Sequence, residues 1–205
     1  MIQRLPLVLL DPAVPVAVAT KNLDKFNELV TLWGQRAPRL MLPGFEYPDV
    51  DERFETYDEN AVLKAEVLAH AVGGPALADD SGIEVEALDW GPGVRSARTP
   101  TPTSTPRERN EHILSELAKR PNASRRARMV CVCALVVPGR TPIIACGEVA
   151  GLIAPEPHGL SGFGYDPIFF YPAFGCTFGE AGMERKHVVS HRGNAVRALQ
   201  QLLFV

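Results

Sequence analysis

Between Met129 and Val149 the chain carries a long apolar run, a turn and a second apolar run, a pattern that few folds accommodate. Met129 to Val137 is apolar throughout and reads as a buried strand. Pro138-Gly139-Arg140-Thr141-Pro142 reverses the chain, and Ile143 to Val149 returns as its partner. Val14 to Ala19 supplies another strand of β-branched and small apolar residues. Around these runs, apolar residues recur at helical spacing. Phe26, Leu29, Val30 and Trp33 form one set, and Ala61, Ala65, Leu68 and Val72 a second. Ile113, Leu114 and Leu117 form a third, and Val196, Leu199, Leu202 and Leu203 a fourth. Strands, a hairpin and helices in this mixture predict an α/β architecture with a mixed central sheet.

Local signals place the helix starts. Asn22 or Asp24 can cap the first helix, and Thr56 with Glu59 has capping-box spacing. Gly73-Gly74-Pro75 ends the second helix, while Thr105, Pro106 and Glu108 open the third. Residues 38–55, rich in Pro, Gly and acid, read as an exposed excursion, and residues 99–106 and 154–166 as loops. Asp79-Asp80-Ser81-Gly82 reads as a polar turn between a short apolar piece, Ala76 to Ala78, and an alternating strand from Ile83 to Ala87. With no repeat and no long linker, residues 1–13 are expected to be an extension and residues 14–205 one domain.

Bulk properties exclude several classes. A net charge of −3 and a pI of about 6.0 lack the basic signature of a domain that binds a nucleic acid polymer. Leu5 to Leu10 is too short and too interrupted for a signal segment, and no run approaches the ~18 residues that cross a bilayer. Cys131, Cys133, Cys146 and Cys176 lack zinc-like spacing, and a disulfide framework is not expected; a cytoplasmic setting is the simplest reading.

Five polar segments remain once the core patterns are removed: Thr20 to Lys25, Asp51 to Glu59, Asp79 to Gly82, Phe163 to Asp166 and Lys186 to Arg192. The first lies at a strand-to-helix junction, where free backbone N–H groups favour phosphate. Asp79 and Asp80 supply hard oxygen ligands suited to Mg²⁺, or else cap a turn. If they lie on a strand, only one of them faces a given site. Lys25, Lys186 and Arg192 could hold a triphosphate, or be solvated surface charges. Phe163 could be a stacking plate or a loop anchor, and His191 a base reader, an acid–base group or a cap. There is no P-loop, no G-x-S-x-G elbow and no Rossmann fingerprint.

Taken together, the segments resemble a known family. Thr20-Lys21-Asn22-Leu23-Asp24-Lys25 matches T-x-N-x-x-K, and Glu59-Asn60-Ala61-Val62-Leu63-Lys64-Ala65 matches E-N-A-x-x-K-A. Ala78-Asp79-Asp80-Ser81-Gly82 is A-D-D-S-G, and Pro92-Gly93-Val94-Arg95-Ser96-Ala97-Arg98 matches P-G-V-x-S-A-R. Gly162 to Phe169 and Ser190-His191-Arg192-Gly193 complete the set. Six motifs in this order resemble the inosine triphosphate pyrophosphatase family, the Ham1-like non-standard purine NTP pyrophosphatases.

The resemblance implies a two-lobed fold around the mixed sheet, with a nucleotide cleft between the lobes, a homodimer, Mg²⁺ as cofactor and a small nucleotide as substrate. The implied reaction is hydrolysis of ITP, dITP or XTP to the monophosphate and pyrophosphate. By motif position Thr20, Asn22 and Lys25 hold phosphate, with Lys21, Leu23 and Asp24 part of the same substrate-binding segment. Asp80 is the metal-linked proton acceptor, Ser81 lies beside the substrate, and Asp51 or Glu52 adds a metal ligand. Phe163, Gly164, Tyr165, Asp166, Lys186, His191 and Arg192 surround base and sugar. A donor from the His191–Arg192 region would favour a C6 oxygen over the adenine amino group. Lys21, Arg95 and Asn194 replace residues frequent in the family, as do Arg53 and Phe54. The alternatives are a Maf-like pyrophosphatase with another base preference, and a nucleotide-binding module without turnover.

Overall fold

The computed structural model describes residues 10–35 and 38–203; most of the expected extension, residues 1–9, lies outside them. The chain opens with strand β1 (Val16–Val18) and turns through Thr20 and Lys21 into helix α1 (Leu23–Trp33). Asn22, not Asp24, is the cap: its side-chain oxygen accepts the N–H groups of Asp24 (2.9 Å) and Lys25 (3.2 Å). Inside the expected excursion a two-residue strand, β2 (Leu40–Met41), pairs parallel to β1. Helix α2 (Tyr57–Val72) starts at the Thr56 cap and stops at Gly73, whose φ of +64° is cheap only for glycine.

The largest departure from expectation comes next. Residues 76–85 form one continuous strand, β3 (Ala76–Val85), and no turn interrupts it at Asp79-Asp80-Ser81-Gly82. Those four residues pair antiparallel with Cys133, Val132, Cys131 and Val130 of β5 (Arg126–Val136). Turn-like composition loses here because the ladder satisfies the backbone and cations from three helices neutralise or bond the side chains. A short strand β4 (Gly91–Pro92) and a 3₁₀ turn over residues 93–98 follow β3. Helix α3 (Pro106–Ala118) then begins at the predicted Thr105 capping box.

The hairpin partner of β5, β6 (Ile143–Ile153), is longer than its apolar run. Beyond it come β7 (Phe169–Tyr171), β8 (Cys176–Thr177), α4 (Phe178–Ala181), α5 (Met183–Val189) and α6 (His191–Leu203). The sheet runs β2-β1-β3-β5-β6-β7-β8, with β4 beside β3. It is parallel around β1 and antiparallel from β3 onward, which makes it mixed, as expected.

Alternation along β3 and β5 sorts the core. Leu77, Cys131 and Cys133 face α1 and α6, packing with Leu29, Trp33, Val196 and Leu199. Ala76, Ala78, Val132 and Ala134 face α2 and its Ala61, Ala65 and Leu68. Where α6 crosses β6 the strand carries Gly147, and a Cβ there would lie 2.2 Å from the Ala195 backbone nitrogen. At the other end of the long strands, Ile83, Met129 and Val149 join Ile113 of α3, Phe169 and Phe178 in a separate core. Fully burying a side chain such as Leu29 or Phe178 contributes about 2 kcal/mol. The two core regions share three long strands, and the cleft opens between them.

Candidate functional site

The strand alternation that sorts the core also separates the two aspartates. Asp79 points to the α1 and α6 face, where its Oδ2 accepts from Arg192 Nη2 (3.0 Å) and Nε (3.3 Å) and pairs with Lys25 Nζ at 3.2 Å. Burial alone would raise this carboxyl, but the Lys25 and Arg192 charges outweigh it and hold it well below the usual carboxylate range. Asp80 points to the α2 face. Lys64 Nζ donates to Asp80 Oδ1 (2.8 Å) and to Glu52 Oε1 (2.9 Å), so one cation bridges two carboxylates. Burial pushes the Asp80 carboxyl up against the pull of Lys64, and Glu52 adds to the rise. Asp80 Oδ2 is buried with no hydrogen-bond partner among the described residues.

Two cavities adjoin along the cleft. The first is walled by Thr20, Lys21, Asn22, Lys25, Glu52 and Lys64, with Asp79 at its edge and Asp80 behind Lys64. The other is walled by Ser81, Gly82, Phe163, Tyr165, Asp166 and the Lys186, His191, Arg192 group. They meet at Asn22, Lys25, Ala97 and Arg109, which line both. Gly82 lets the turn over residues 93–98 pack directly on β3 beside the second cavity, since a Cβ there would meet Gly93 O at 2.2 Å.

The second cavity has an aromatic wall backed by cations. Lys186 Nζ lies 4.8 Å and the Arg192 guanidinium carbon 5.6 Å from the Phe163 ring centroid. Asp166 fixes this wall: its Oδ2 accepts from Phe163 N (2.8 Å) and Lys186 Nζ (2.7 Å). The Gly164 carbonyl accepts from Asn110 on α3 (3.1 Å), which ties the loop to that helix. Tyr165 donates its hydroxyl to Ser96 O (2.8 Å), and burial pushes its phenol up to about 12, so it stays neutral. Burial, helped by the neighbouring Arg192 charge, drives His191 well below its ordinary pKa, and its buried Nδ1 has no partner among the described residues. The imidazole is therefore neutral and carries free hydrogen-bonding capacity.

Sequence reasoning missed the residue that binds this wall to the strand. Glu28, buried on α1, pairs with Arg192, and its Oε1 lies 2.9 Å from Lys186 Nζ as an ion pair without hydrogen-bond alignment. Burial would raise its carboxyl, but Arg192, His187 and Lys186 prevail and pull it far down. Glu28 lies three positions after Lys25, on the same helix face, and that spacing was the available signal. Lys64 lies inside the E-N-A-x-x-K-A motif, and the motif alone assigns it no role.

The remaining predicted residues sort clearly. Asp24 and Ser81 line the second cavity, and Ser81 accepts from Arg192 Nη2 at 3.1 Å. The Arg192 donors run to Asp79, Glu28 and Ser81, so its guanidinium is anchored rather than free in the cavity. Lys21 reaches the surface and pairs with Asp49. Leu23 is 63% exposed and lines neither cavity, because the first turn of α1 turns it outward. Asp51 is exposed and Glu52 lines the first cavity, so the two candidate ligands sit differently.

Among the described residues no group of three or more His, Cys, Asp or Glu gathers at metal-binding distance. The Asp80 and Glu52 pair nonetheless fits Mg²⁺ in donor chemistry, since that ion commonly takes one or two carboxylates and completes its shell with water and phosphate. The unpartnered Asp80 Oδ2 is the free acceptor such a site requires.

Comparison with known proteins identifies the family. The model of the Ham1 family matches residues 16–202. The dITP/XTP pyrophosphatase of Geobacter sulfurreducens is 42% identical over 190 residues, covering 92% of this chain and 96% of its own. The dITP/XTP pyrophosphatase of Shouchella clausii is 40% identical over 191 residues, covering 92% and 96%. The solved structure of a Ham1 protein from Coxiella burnetii has a TM-score of 0.83 at 37% identity, covering 93% of this chain and 98% of that one. On sequence and fold, the chain belongs to the Ham1 family.

Proposed function

We propose that this protein hydrolyses non-standard purine nucleoside triphosphates (ITP, dITP and XTP) to the monophosphate and pyrophosphate, with Mg²⁺. The observation that carries the reading is the pair of adjoining cavities. One offers an aromatic wall for a flat base, the other offers cations and carboxylates for phosphate and metal, and they meet at Asn22 and Lys25. The names of the curated relatives, dITP/XTP pyrophosphatases, support the substrate class.

In this reading Phe163 stacks on the base while neutral His191, with Arg192 beside it, faces its C6 oxygen. Thr20, Asn22 and Lys25 hold phosphate oxygens at the start of α1, where the helix terminus favours negative charge. Asp80 and Glu52 would hold Mg²⁺, which when bound neutralises phosphate charge and lowers the pKa of water. The Asp80 carboxylate takes the proton of the attacking water. The new bond forms between that water oxygen and the α-phosphorus, the α–β bridging bond breaks, and its electron pair leaves on pyrophosphate. Lys25 and Lys64 stabilise the charge that develops there. We further propose that the protein acts on the free nucleotide pool of the cytoplasm as a homodimer. Among the described residues no helix is long and apolar enough to cross a membrane.

The test is product analysis with Mg²⁺ on ITP, dITP, XTP, ATP, GTP, dTTP and UTP. Pyrophosphate with IMP or XMP, and little product from ATP or GTP, is the expected result. Turnover confined to dTTP and UTP, or none on any nucleotide, would overturn the proposal.

A further inference from the structure

Six Lys and Arg side chains line the two cavities, and five of them are neutralised. Lys21 pairs with Asp49, Lys25 with Asp79, Lys64 with Asp80 and Glu52, Lys186 with Asp166, and Arg192 with Glu28 and Asp79. The sixth, Arg109, has no hydrogen bond or ion pair from its guanidinium among the described residues, and its Nε is shielded from solvent as well. A guanidinium cannot shed its charge to escape this situation. It is also one of the four residues that line both cavities.

The position is unusual for a second reason. Asn22 and Lys25 reach the junction from α1, which packs on the core around Leu29 and Trp33. Arg109 reaches it from α3, whose Ile113 and Leu117 belong to the other core region. Its backbone is fixed in the first turn of that helix, with its N–H donated to Thr105 O at 3.1 Å. An anion at the junction would therefore touch both halves of the molecule, with Arg109 contributed from the side opposite to Lys25.

We propose that Arg109 is a phosphate clamp that crosses the cleft and holds the α-phosphate of the bound nucleotide. The assignment rests on the nucleotide reading given above. A base against Phe163 and leaving phosphates beside Lys64 place the α-phosphate where the cavities meet. The fork of guanidinium donors matches two phosphate oxygens at once, which a lysine at this position could not do. Pairing with the substrate also explains why the described residues supply no carboxylate to Arg109. The clamp ties the α3 side of the cleft to the α1 side only when a phosphorylated ligand is present.

The experiment compares wild type, Arg109→Ala and Arg109→Lys by calorimetric titration with IMP and with inosine at fixed salt and Mg²⁺. ITP turnover by the wild type is measured in parallel, and melting curves confirm that each variant is folded. Arg109→Ala is expected to weaken IMP binding roughly tenfold or more while inosine binding changes less than about twofold, with Arg109→Lys in between. Equal weakening of IMP and inosine, or unchanged IMP binding, would overturn the clamp. So would a wild type that binds IMP no more tightly than inosine. If the wild type binds IMP through Arg109 but does not hydrolyse ITP, the clamp stands and the hydrolase reading falls.

Discussion

Asp79 and Asp80 are neighbours in sequence, yet their carboxylates lie on opposite faces of β3, the first against Arg192 and Lys25, the second against Lys64. Adjacent acids in one motif therefore do different work. Asp79 neutralises buried cations between β3, α1 and α6, whereas Asp80 keeps one buried oxygen unpartnered behind Lys64.

The two asparagine variants should separate these roles. Asp80→Asn is expected to cut turnover on the order of 10²- to 10⁴-fold while nucleotide binding changes little, because the amide cannot take a proton. Asp79→Asn is expected to destabilise the fold by about 3 kcal/mol, since it leaves the buried Arg192 short of a counter-charge. At ~2–4 °C per kcal/mol for a chain of this size, the melting temperature should fall by roughly 6–12 °C. Thermal melts and steady-state kinetics on both variants check this. An Asp80→Asn enzyme with near-normal turnover would remove the proton-acceptor role.

Acid stability should depend on Glu28. Its ordinary carboxyl pKa of 4.5 is pulled far down in the folded protein, so the unfolded chain takes up the proton first as pH falls. The stabilisation is complete above about 4.5 and is lost as pH drops below that value toward the folded pKa. Asp79 acts in the same direction from its ordinary 3.8. Asp80 and Asp166, both raised by burial, act in the opposite direction and offset part of the loss. Urea midpoints between pH 6 and pH 3 for wild type and Glu28→Gln isolate the contribution. The variant should be weaker at pH 6, and the gap to wild type should narrow at pH 3. A gap that stays constant with pH would show that Glu28 stabilises by packing rather than by charge.

What the sequence revealed followed from local chemistry. The Thr56 and Thr105 caps, the Gly73 stop and the 129–149 hairpin all form where residue types and spacing place them. The six motifs together pointed to the family. Asp79 to Gly82 misled because Asp-Asp-Ser-Gly has turn composition, and the counter-charges that permit a buried strand come from residues 25, 64 and 192. No local window contains those partners. For Glu28 the spacing from Lys25 is the one local signal, and an acid on an amphipathic helix looks solvated until Lys186 and Arg192 arrive from the far end of the chain. The strands β2 and β8, two residues each, carry no periodicity at all and exist because a neighbouring strand offers a ladder.

Two adjacent acids that the sequence leaves open as metal ligands point in different directions. Asp51 is exposed and lines neither cavity, while Glu52 lines the first cavity and shares Lys64 with Asp80. If Glu52 helps hold Mg²⁺, removing its charge takes away one of the two carboxylates available there. Glu52→Gln should then raise the Mg²⁺ concentration for half-maximal activity by roughly 10- to 100-fold, with activity recovering as Mg²⁺ is increased. Asp51→Asn should leave the Mg²⁺ dependence within about twofold of wild type, because an exposed charge outside the cavity is screened by solvent. Mg²⁺ titrations of ITP hydrolysis for the two variants and the wild type make the comparison directly. A shift in Asp51→Asn with none in Glu52→Gln would reverse the assignment. A Glu52→Gln enzyme that saturates at the wild-type Mg²⁺ concentration but with lower turnover would instead mean that Glu52 acts by positioning Lys64 beside Asp80.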